Sequence, residues 1–566
     1  MQKKLPISTD DFPTIINEGY YFVDKSMFIA EALDNMSAIK LILRPRWFGK
    51  SLNMSMLKSF LEIGSPKELF SGLAIAERNS LCEEYQGKRP VIFLSFKDMA
   101  ARDFPKALDA ISLRISREAD RLGIGAGCPE LKPSENAAFD RMAEKQADEN
   151  DVERSIMLMS MALYRRYGTK AVVLIDEYDA PANHAYHMKY YEEMASLFRG
   201  MLGQALKGNP FVDLAVLAGV LRLSKDSIFS DLNNIRVYSA LDEKYSAHFG
   251  FNGDEVAAML SYYGFEDRMH DMKEYYDGYR MGSFEVYNPW SVVNACYDMI
   301  AEPGAELQKH WVNTATNDLV REMLKRDGFE ALSSIGDLVA GGNVEKNVSI
   351  LATYRDLIDI SGSEAVWDMM FMAGYLTWVK KAGNDKYELR APNYEVREAL
   401  RKDALSWASS AMPIGKGKAD ELYTAFFEGN AKAAEGVINN LFENVFSVRD
   451  GVVLHGSFKI DKERHYHLIT TALLACSNWE VRSETESGDG YLDTMCTNKG
   501  LDAAIIIEEK YSRSNSDGSL VNKAQEAMEQ IERNRYAKSV EGYSTVIAVG
   551  IAYANRRCKM AIRQLK

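Results

Sequence analysis

Ile39-Lys-Leu-Ile-Leu43 runs straight into Arg44-Pro-Arg-Trp-Phe-Gly-Lys-Ser51, and a helical pattern follows over 52–63. The apolar run reads as a buried strand. Gly49-Lys50-Ser51 then carries the chemistry of a phosphate-binding turn. A glycine lets the backbone approach an anion closely. Lys50 can neutralise β and γ oxygens, and the Ser51 hydroxyl can ligate Mg²⁺. The helix behind them points its N–H groups and the positive end of its dipole at the same spot. One position departs from the common G-x-x-x-x-G-K-S spacing: Arg44 stands where the first glycine belongs. Taken alone, Gly-Lys-Ser also fits a plain strand-to-helix turn with an exposed lysine.

Val172-Val-Leu-Ile-Asp-Glu-Tyr-Asp179 supplies the matching half. Its apolar run ends in Asp176 and Glu177, at the strand end where parallel sheets bind ligands. Asp176 would hold the water shell of Mg²⁺, as a Walker B aspartate does. Glu177 would polarise an attacking water. The two motifs in this order, on separate strands, make ATP and Mg²⁺ the expected cofactors. Pro90-Val-Ile-Phe-Leu-Ser-Phe96 and Leu214-Ala-Val-Leu-Ala218 read as further buried strands, and 190–206 as a helix. Continuous apolar strands alternating with helices predict an α/β domain, a parallel sheet covered on both faces, over residues 1–245.

The whole chain has 566 residues, so two to four domains are expected. With 46% hydrophobic and 26% charged residues, it is neither disordered nor fibrous. A net charge of -13 argues against a wholly basic nucleic-acid coat but permits a local basic channel. No run of about 18 apolar residues predicts a membrane span, and the N-terminus lacks the apolar core of a signal peptide. The six cysteines include no C-x-x-C pair, which suits reduced thiols in a cytoplasm. The eight histidines show no metal-ligand spacing; His465 and His467 are read as structural.

Residues 246–415 read as a mainly helical middle or lid region rich in aromatics, with Tyr387-Glu-Leu-Arg390 as a strand. The stretch around Gly415-Lys-Gly-Lys418 reads as a linker. Residues 420–566 change pattern. Helical stretches at 420–442 and 466–475 precede strand-like runs at 490–496, 502–508 and 545–551. A helix is expected over 520–537, and a last strand over 558–562.

Asp493 lies on the first of those runs and Glu508-Glu-Lys510 ends the second. Two adjacent strands can bring Asp493, Glu508 and Lys510 to one edge. Two carboxylates can bind Mg²⁺ or Mn²⁺ there, and Lys510 can orient a water or stabilise developing charge. Residues two apart share a strand face, so spacing chooses Glu508 over Glu509. Glu486 is a candidate further ligand. Arg513, Lys523, Arg533, Arg535 and Lys538 read equally as a nucleic-acid track and as a solvated helix face. Tyr275, Tyr276, Tyr279 and Trp290 read as core or interface packing. Arg222, just past the fourth strand, is read either as a γ-phosphate sensor or as a surface ion-pair partner.

Several longer stretches carry more information: Gly19-Tyr-Tyr-Phe-Val-Asp-Lys25, Leu174-Ile-Asp-Glu-Tyr-Asp-Ala-Pro181, Gly219-Val-Leu-Arg-Leu-Ser-Lys225, Ser230-Asp-Leu-Asn-Asn234, Tyr276-Asp-Gly-Tyr279 and Tyr287-Asn-Pro-Trp290. With them the chain resembles the family of AAA-ATPase-like proteins that end in a PD-(D/E)XK nuclease domain, over nearly its whole length. The resemblance implies that Arg44, Arg46, Gly49, Lys50 and Ser51 face the nucleotide phosphates, and that Tyr21, Asp24 and Lys25 lie near the base. It implies a restriction-endonuclease-like fold for 420–566, with Asp493, Glu508, Lys510 and Gln530 as nuclease residues. The expected function is an ATPase coupled to a metal-dependent nuclease acting on nucleic acid, DNA ahead of RNA, with no membrane partner and with homo-oligomers left open. Trp47 replaces the second of two arginines usual in the family, and Glu509 replaces an apolar residue. Tyr491-Leu492 stands where an arginine precedes the aspartate. These departures motivate the alternative, a nucleotide-dependent switch whose C-terminal domain binds nucleic acid or protein without cleaving it.

Overall fold

The computed structural model describes residues 2–34, 39–125, 127–222, 235–311, 334–335, 337–339, 341–349, 364–411, 416–445, 466–467, 470–471, 473–474, 477–487, 490–555 and 557–566. The Ser230–Asn234 motif, residues 223–225, the linker glycine at 415, His465 and Cys476 lie outside them. The chain divides into two compact units. One comprises Met1–Thr316 with Glu345–Val396; the other comprises Asn317–Val344 with Arg397–Lys566. Residues 246–316, expected in the middle region, cluster with the first unit.

The first unit is built on a five-stranded sheet: β1 (Ile39–Leu43), β2 (Val91–Ser95), β3 (Ala171–Asp176), β4 (Val212–Gly219) and β5 (Ile235–Tyr238), in the order β2-β3-β4-β1-β5. Every pairing is parallel. All residues of β1 and β3 are buried, which requires cover on both faces. Helices supply it, among them α1 (Lys50–Leu61), the helix Glu149–Tyr167 and the helix Tyr191–Leu206. Asp148 opens Glu149–Tyr167 by accepting the Asp151 N–H, and Gly168 closes it at φ 67. The fifth strand has no sequence signal because it is a half-exposed edge without an apolar run.

Further along the unit, β6 (Tyr279–Met281) pairs with β7 (Phe284–Val286) as a short hairpin. A three-stranded sheet follows, in the order β8 (Val344–Asn347), β10 (Lys386–Arg390), β9 (Thr377–Lys381). The aromatic motifs find structural work here. Asn288 accepts the Trp290 and Ser291 N–H groups and Pro289 takes the first turn, so Tyr287-Asn-Pro-Trp290 is the start of α2 (Pro289–Ala301). Gly278 sits at φ 87, and a Cβ there would lie 2.1 Å from the Pro392 carbonyl oxygen. Only glycine satisfies both the turn and this crossing. Tyr276 packs with Met272, Val292 and Cys296 in the local core.

The second unit holds β11 (Glu480–Ser487), β12 (Gly490–Asn498), β13 (Ala503–Tyr511), β14 (Thr545–Ala554) and β15 (Arg557–Gln564), in sequential order. β13 and β14 are parallel and the rest antiparallel. The parallel step requires a crossover, supplied by α3 (Asp517–Arg533). Met528 and Ile531 of α3 pack on Leu492, Ala504 and Ile506. A Cβ at Gly550 would meet the Ala524 carbonyl oxygen at 2.3 Å, so glycine lets α3 lie directly on β14. The helical stretch expected at 420–442 is two helices, Lys416–Phe427 and Ala431–Val445, separated near Gly429 at φ 63. No helix among the described residues is long and apolar enough to cross a membrane.

Candidate active sites

The turn after β1 has the backbone of an anion cradle. Gly49 takes φ 81 with no atom near its missing Cβ, and α1 begins at Lys50. Lys50 is buried, and its Nζ donates to the carbonyls of Arg44 (3.1 Å) and Pro45 (2.7 Å). Burial lowers its pKa, while Glu177, Asp179 and Asp176 pull it back up. The ammonium is thus folded onto its own loop and makes no ion pair among the described residues. Trp47 holds a left-handed φ of 70 and stacks on Trp290 with centroids 4.5 Å apart. Phe48 meets Tyr279 edge-on at 4.8 Å, so the far side of the loop is roofed by aromatic rings.

Ser51 and Asp176 come together. Ser51 Oγ donates to Asp176 Oδ2 at 2.7 Å. Burial, with Glu177 adding to it, pushes the Asp176 carboxyl up to about 6 against the pull of Ser51 and Lys50. Its other oxygen, Oδ1, is buried with no hydrogen-bond partner. A hard divalent cation takes such oxygens and a hydroxyl as ligands, so the donor set fits Mg²⁺. Glu177 follows at φ 49, a conformation costly for a glutamate and typical of functional turns. Arg46, Lys50 and Glu177 all line one cleft. Arg46 is half-buried and makes no ion pair among the described residues.

Asp179 is a residue that sequence reading missed. It is buried and accepts the backbone N–H groups of Val220 (3.1 Å) and Leu221 (2.8 Å). The Tyr178 hydroxyl donates to the Leu221 carbonyl at 2.7 Å. The ends of β3 and β4 are therefore stitched together just before Arg222. A Cβ at Gly219 would lie 2.5 Å from Asp179 Oδ1. Arg222 is buried, and burial lowers its pKa. Only the recurrence of Asp179 three residues after Asp176 hinted at any of this.

Four residues that the resemblance assigns to the nucleotide have partners within the fold. Arg44 is fully buried, donates to the Leu43 and Tyr238 carbonyls and lies over the Phe249 ring. Asp24 accepts from the N–H groups of Ser26 (2.8 Å) and Ala74 (2.7 Å). Lys25 pairs with Glu255 at 2.7 Å. Tyr21 packs against Tyr262 and Tyr263.

In the second unit, Lys510 Nζ meets Glu508 Oε1 at 2.9 Å, so these two share a face as their spacing requires. Asp493 is raised by burial first, then by the charges of Glu508 and Glu509. The Glu509 N–H donates to Asp493 Oδ2 at 2.6 Å, which puts Asp493 beside the Glu508–Lys510 pair. Crowded carboxylates that repel one another are the donor chemistry a divalent cation neutralises. No cluster of three metal-ligating side chains occurs among the described residues. Glu486 pairs in register with Tyr491, and its side chain lies outside the described residues. Gln530 reaches Tyr536 Oη at 3.5 Å and bonds to none of the other three. Glu509, expected merely to face away, is buried with His467 and Tyr553 as partners. Lys523 pairs with Glu526 on the exposed face of α3.

Comparison with known proteins finds two family models matched along the chain. Residues 6–229 match the family model described as predicted AAA-ATPase, and residues 461–561 match that of the PD-(D/E)XK nuclease superfamily. The chain is also 29% identical over 411 residues to an "Uncharacterized protein in vnfD 5'region" of Azotobacter chroococcum mcd 1. That match spans 71% of this chain and 70% of the relative. The chain therefore carries an AAA-ATPase-like region over residues 6–229 and a PD-(D/E)XK nuclease superfamily region over residues 461–561.

Proposed function

We propose that this protein binds and hydrolyses ATP with Mg²⁺ and couples that cycle to a metal-dependent nuclease acting on nucleic acid. The contact that carries the reading is Ser51 Oγ to Asp176 Oδ2, which brings the lysine-bearing turn and the acidic strand end to one cleft. Ser51 and Asp176 would hold Mg²⁺, which screens phosphate charge and orients the triphosphate. Lys50 would leave the loop carbonyls for phosphate oxygens, an exchange of neutral acceptors for charged ones. Arg46 would take phosphate charge from the cleft wall. Glu177 would orient water. Arg222, fixed behind the Asp179 stitch, would read the terminal phosphate.

At the C-terminal site Asp493 and Glu508 would hold the divalent cation, Mg²⁺ or Mn²⁺, with Lys510 beside the water to be activated. DNA is the favoured substrate. The test is direct. The full chain should release phosphate from ATP in Mg²⁺ and cut plasmid or single-stranded DNA in Mg²⁺ or Mn²⁺. Lys50→Ala should abolish the first, and Asp493→Ala and Lys510→Ala the second. Cleavage unchanged in both C-terminal variants would refute that assignment. A second reading, nucleic-acid binding without cleavage, is motivated by Tyr491-Leu492 standing where an arginine precedes the aspartate in the family. Tight DNA binding with no cutting under any divalent metal would select it.

A further inference from the structure

Glu509 stands between the two residues assigned to cation and water, yet its carboxylate is only 1% exposed. Strand alternation sends it to the face of β13 opposite Glu508 and Lys510. A carboxylate this deep needs a partner on each oxygen. Glu509 has them: His467 Nδ1 lies 2.8 Å from Oε2, and the Tyr553 hydroxyl donates to Oε1 at 2.8 Å. Tyr553 is fully buried, stacks on Tyr466 at 4.8 Å and shares a 2.7 Å hydrogen bond with Thr470 Oγ1. The side chain is clamped from two elements. Its own backbone N–H, in turn, donates to Asp493 Oδ2 at 2.6 Å, a charge-assisted bond.

We propose that Glu509, clamped by His467 and Tyr553, is a positioning residue that aims the Asp493 carboxylate at a divalent cation. The clamp adds to the β14 ladder in holding the strand at residue 509, and that strand's amide fixes one oxygen of Asp493 while leaving the other for the cation. An apolar residue at 509 would keep the amide and its pairing beside Ile551 of β14, and lose the side-chain hold that His467 and Tyr553 add. The assignment rests on the reading of Asp493 as a cation ligand. Partners one step behind a metal ligand typically change metal affinity by about 10–100-fold when removed.

The experiment titrates Mn²⁺ into the nucleotide-free full chain and follows free Mn²⁺ by electron paramagnetic resonance, with Asp493→Ala defining the contribution of this site. Glu509→Leu should weaken that contribution by about tenfold or more. Glu509→Gln should rescue it, because a carboxamide can accept from Tyr553 and donate to His467 Nδ1. Tyr553→Phe keeps the ring stack and removes only the hydroxyl, so it should weaken Mn²⁺ binding with the chain still folded by circular dichroism. Wild-type affinity in both Glu509→Leu and Tyr553→Phe would overturn the inference. Mn²⁺ binding unaffected by Asp493→Ala would overturn it together with the cation-site reading. Weakened Mn²⁺ binding in a protein that cuts no nucleic acid would support the inference and sink only the nuclease reading.

Discussion

Ser51 Oγ donates to Asp176 Oδ2 across 2.7 Å, joining residues 125 positions apart on β3 and at the start of α1. The bond spends one oxygen of a buried carboxylate and leaves the other unsatisfied. Replacing Ser51 with Ala should weaken Mg²⁺-dependent nucleotide binding by roughly tenfold or more, the worth of a hydrogen bond to a charged group. Binding measured in EDTA should change far less. Calorimetry with a non-hydrolysable ATP analogue, with and without Mg²⁺, reads the difference. Equal losses in both conditions would remove Ser51 from the cation site.

The Asp179 stitch should be worth more to the fold than its loop position suggests. Asp179→Ala strands two backbone donors, at about 1–3 kcal/mol each when buried. Asp179→Asn keeps an acceptor oxygen and should cost clearly less. Gly219→Ala drives a Cβ to 2.5 Å from Asp179 Oδ1 and 2.6 Å from the Tyr178 ring, so overpacking of about 1–3 kcal/mol is expected. Thermal melts of the three variants should rank Asn mildest. Wild-type melting of Asp179→Ala would contradict the stitch.

Trp47 sets two small effects against each other. Its stack on Trp290 is worth about 0.5–1.5 kcal/mol beyond area burial. Its left-handed backbone costs about 1–3 kcal/mol. Trp47→Ala loses the stack and keeps the strain, so Tm should fall. Trp47→Gly loses both, so Tm should stay near wild type or rise. A lower Tm for Gly than for Ala would show that the backbone is unstrained.

Glu395 predicts a pH dependence. Burial pushes its carboxyl from 4.5 up to about 7, against the Trp311 N–H (2.6 Å) and Ser291 hydroxyl (2.8 Å) it accepts from. Because the folded value is raised, its favourable contribution is full below pH 4.5 and fades as pH climbs through about 7. The amount lost is on the order of 3 kcal/mol, from about 1.4 kcal/mol per pKa unit. Tm against pH should therefore slope more steeply between 5 and 7 in wild type than in Glu395→Gln. Parallel curves would place the titrating group elsewhere.

Much of this was legible from residue order. Continuous apolar runs exposed β1 to β4, because a strand covered on both faces leaves no room for polar alternation. β5 was invisible because an edge strand needs no such run. β11 was invisible too, because Val481 is the one apolar residue between Glu480 and Ser487 and the strand pairs by backbone. In the candidate sites, Lys50, Ser51 and Asp176 could be named from local chemistry, and Glu508 with Lys510 from period-two spacing. The loop position of Arg44 did not disclose its contacts: its guanidinium turns to the Tyr238 carbonyl and the Phe249 ring.

Local rules act within a few residues, so the chain alone could dictate a glycine-lysine turn, an acidic strand end and an E-x-K strand. Partnerships across long separations obey no local rule. That Asp179 holds the end of β4, that Trp47 lies on Trp290, and that Glu509 finds His467 and Tyr553 were decided only when the sheets closed. Burial then forced each stranded charge or ring to take whichever neighbour the packing had brought within reach.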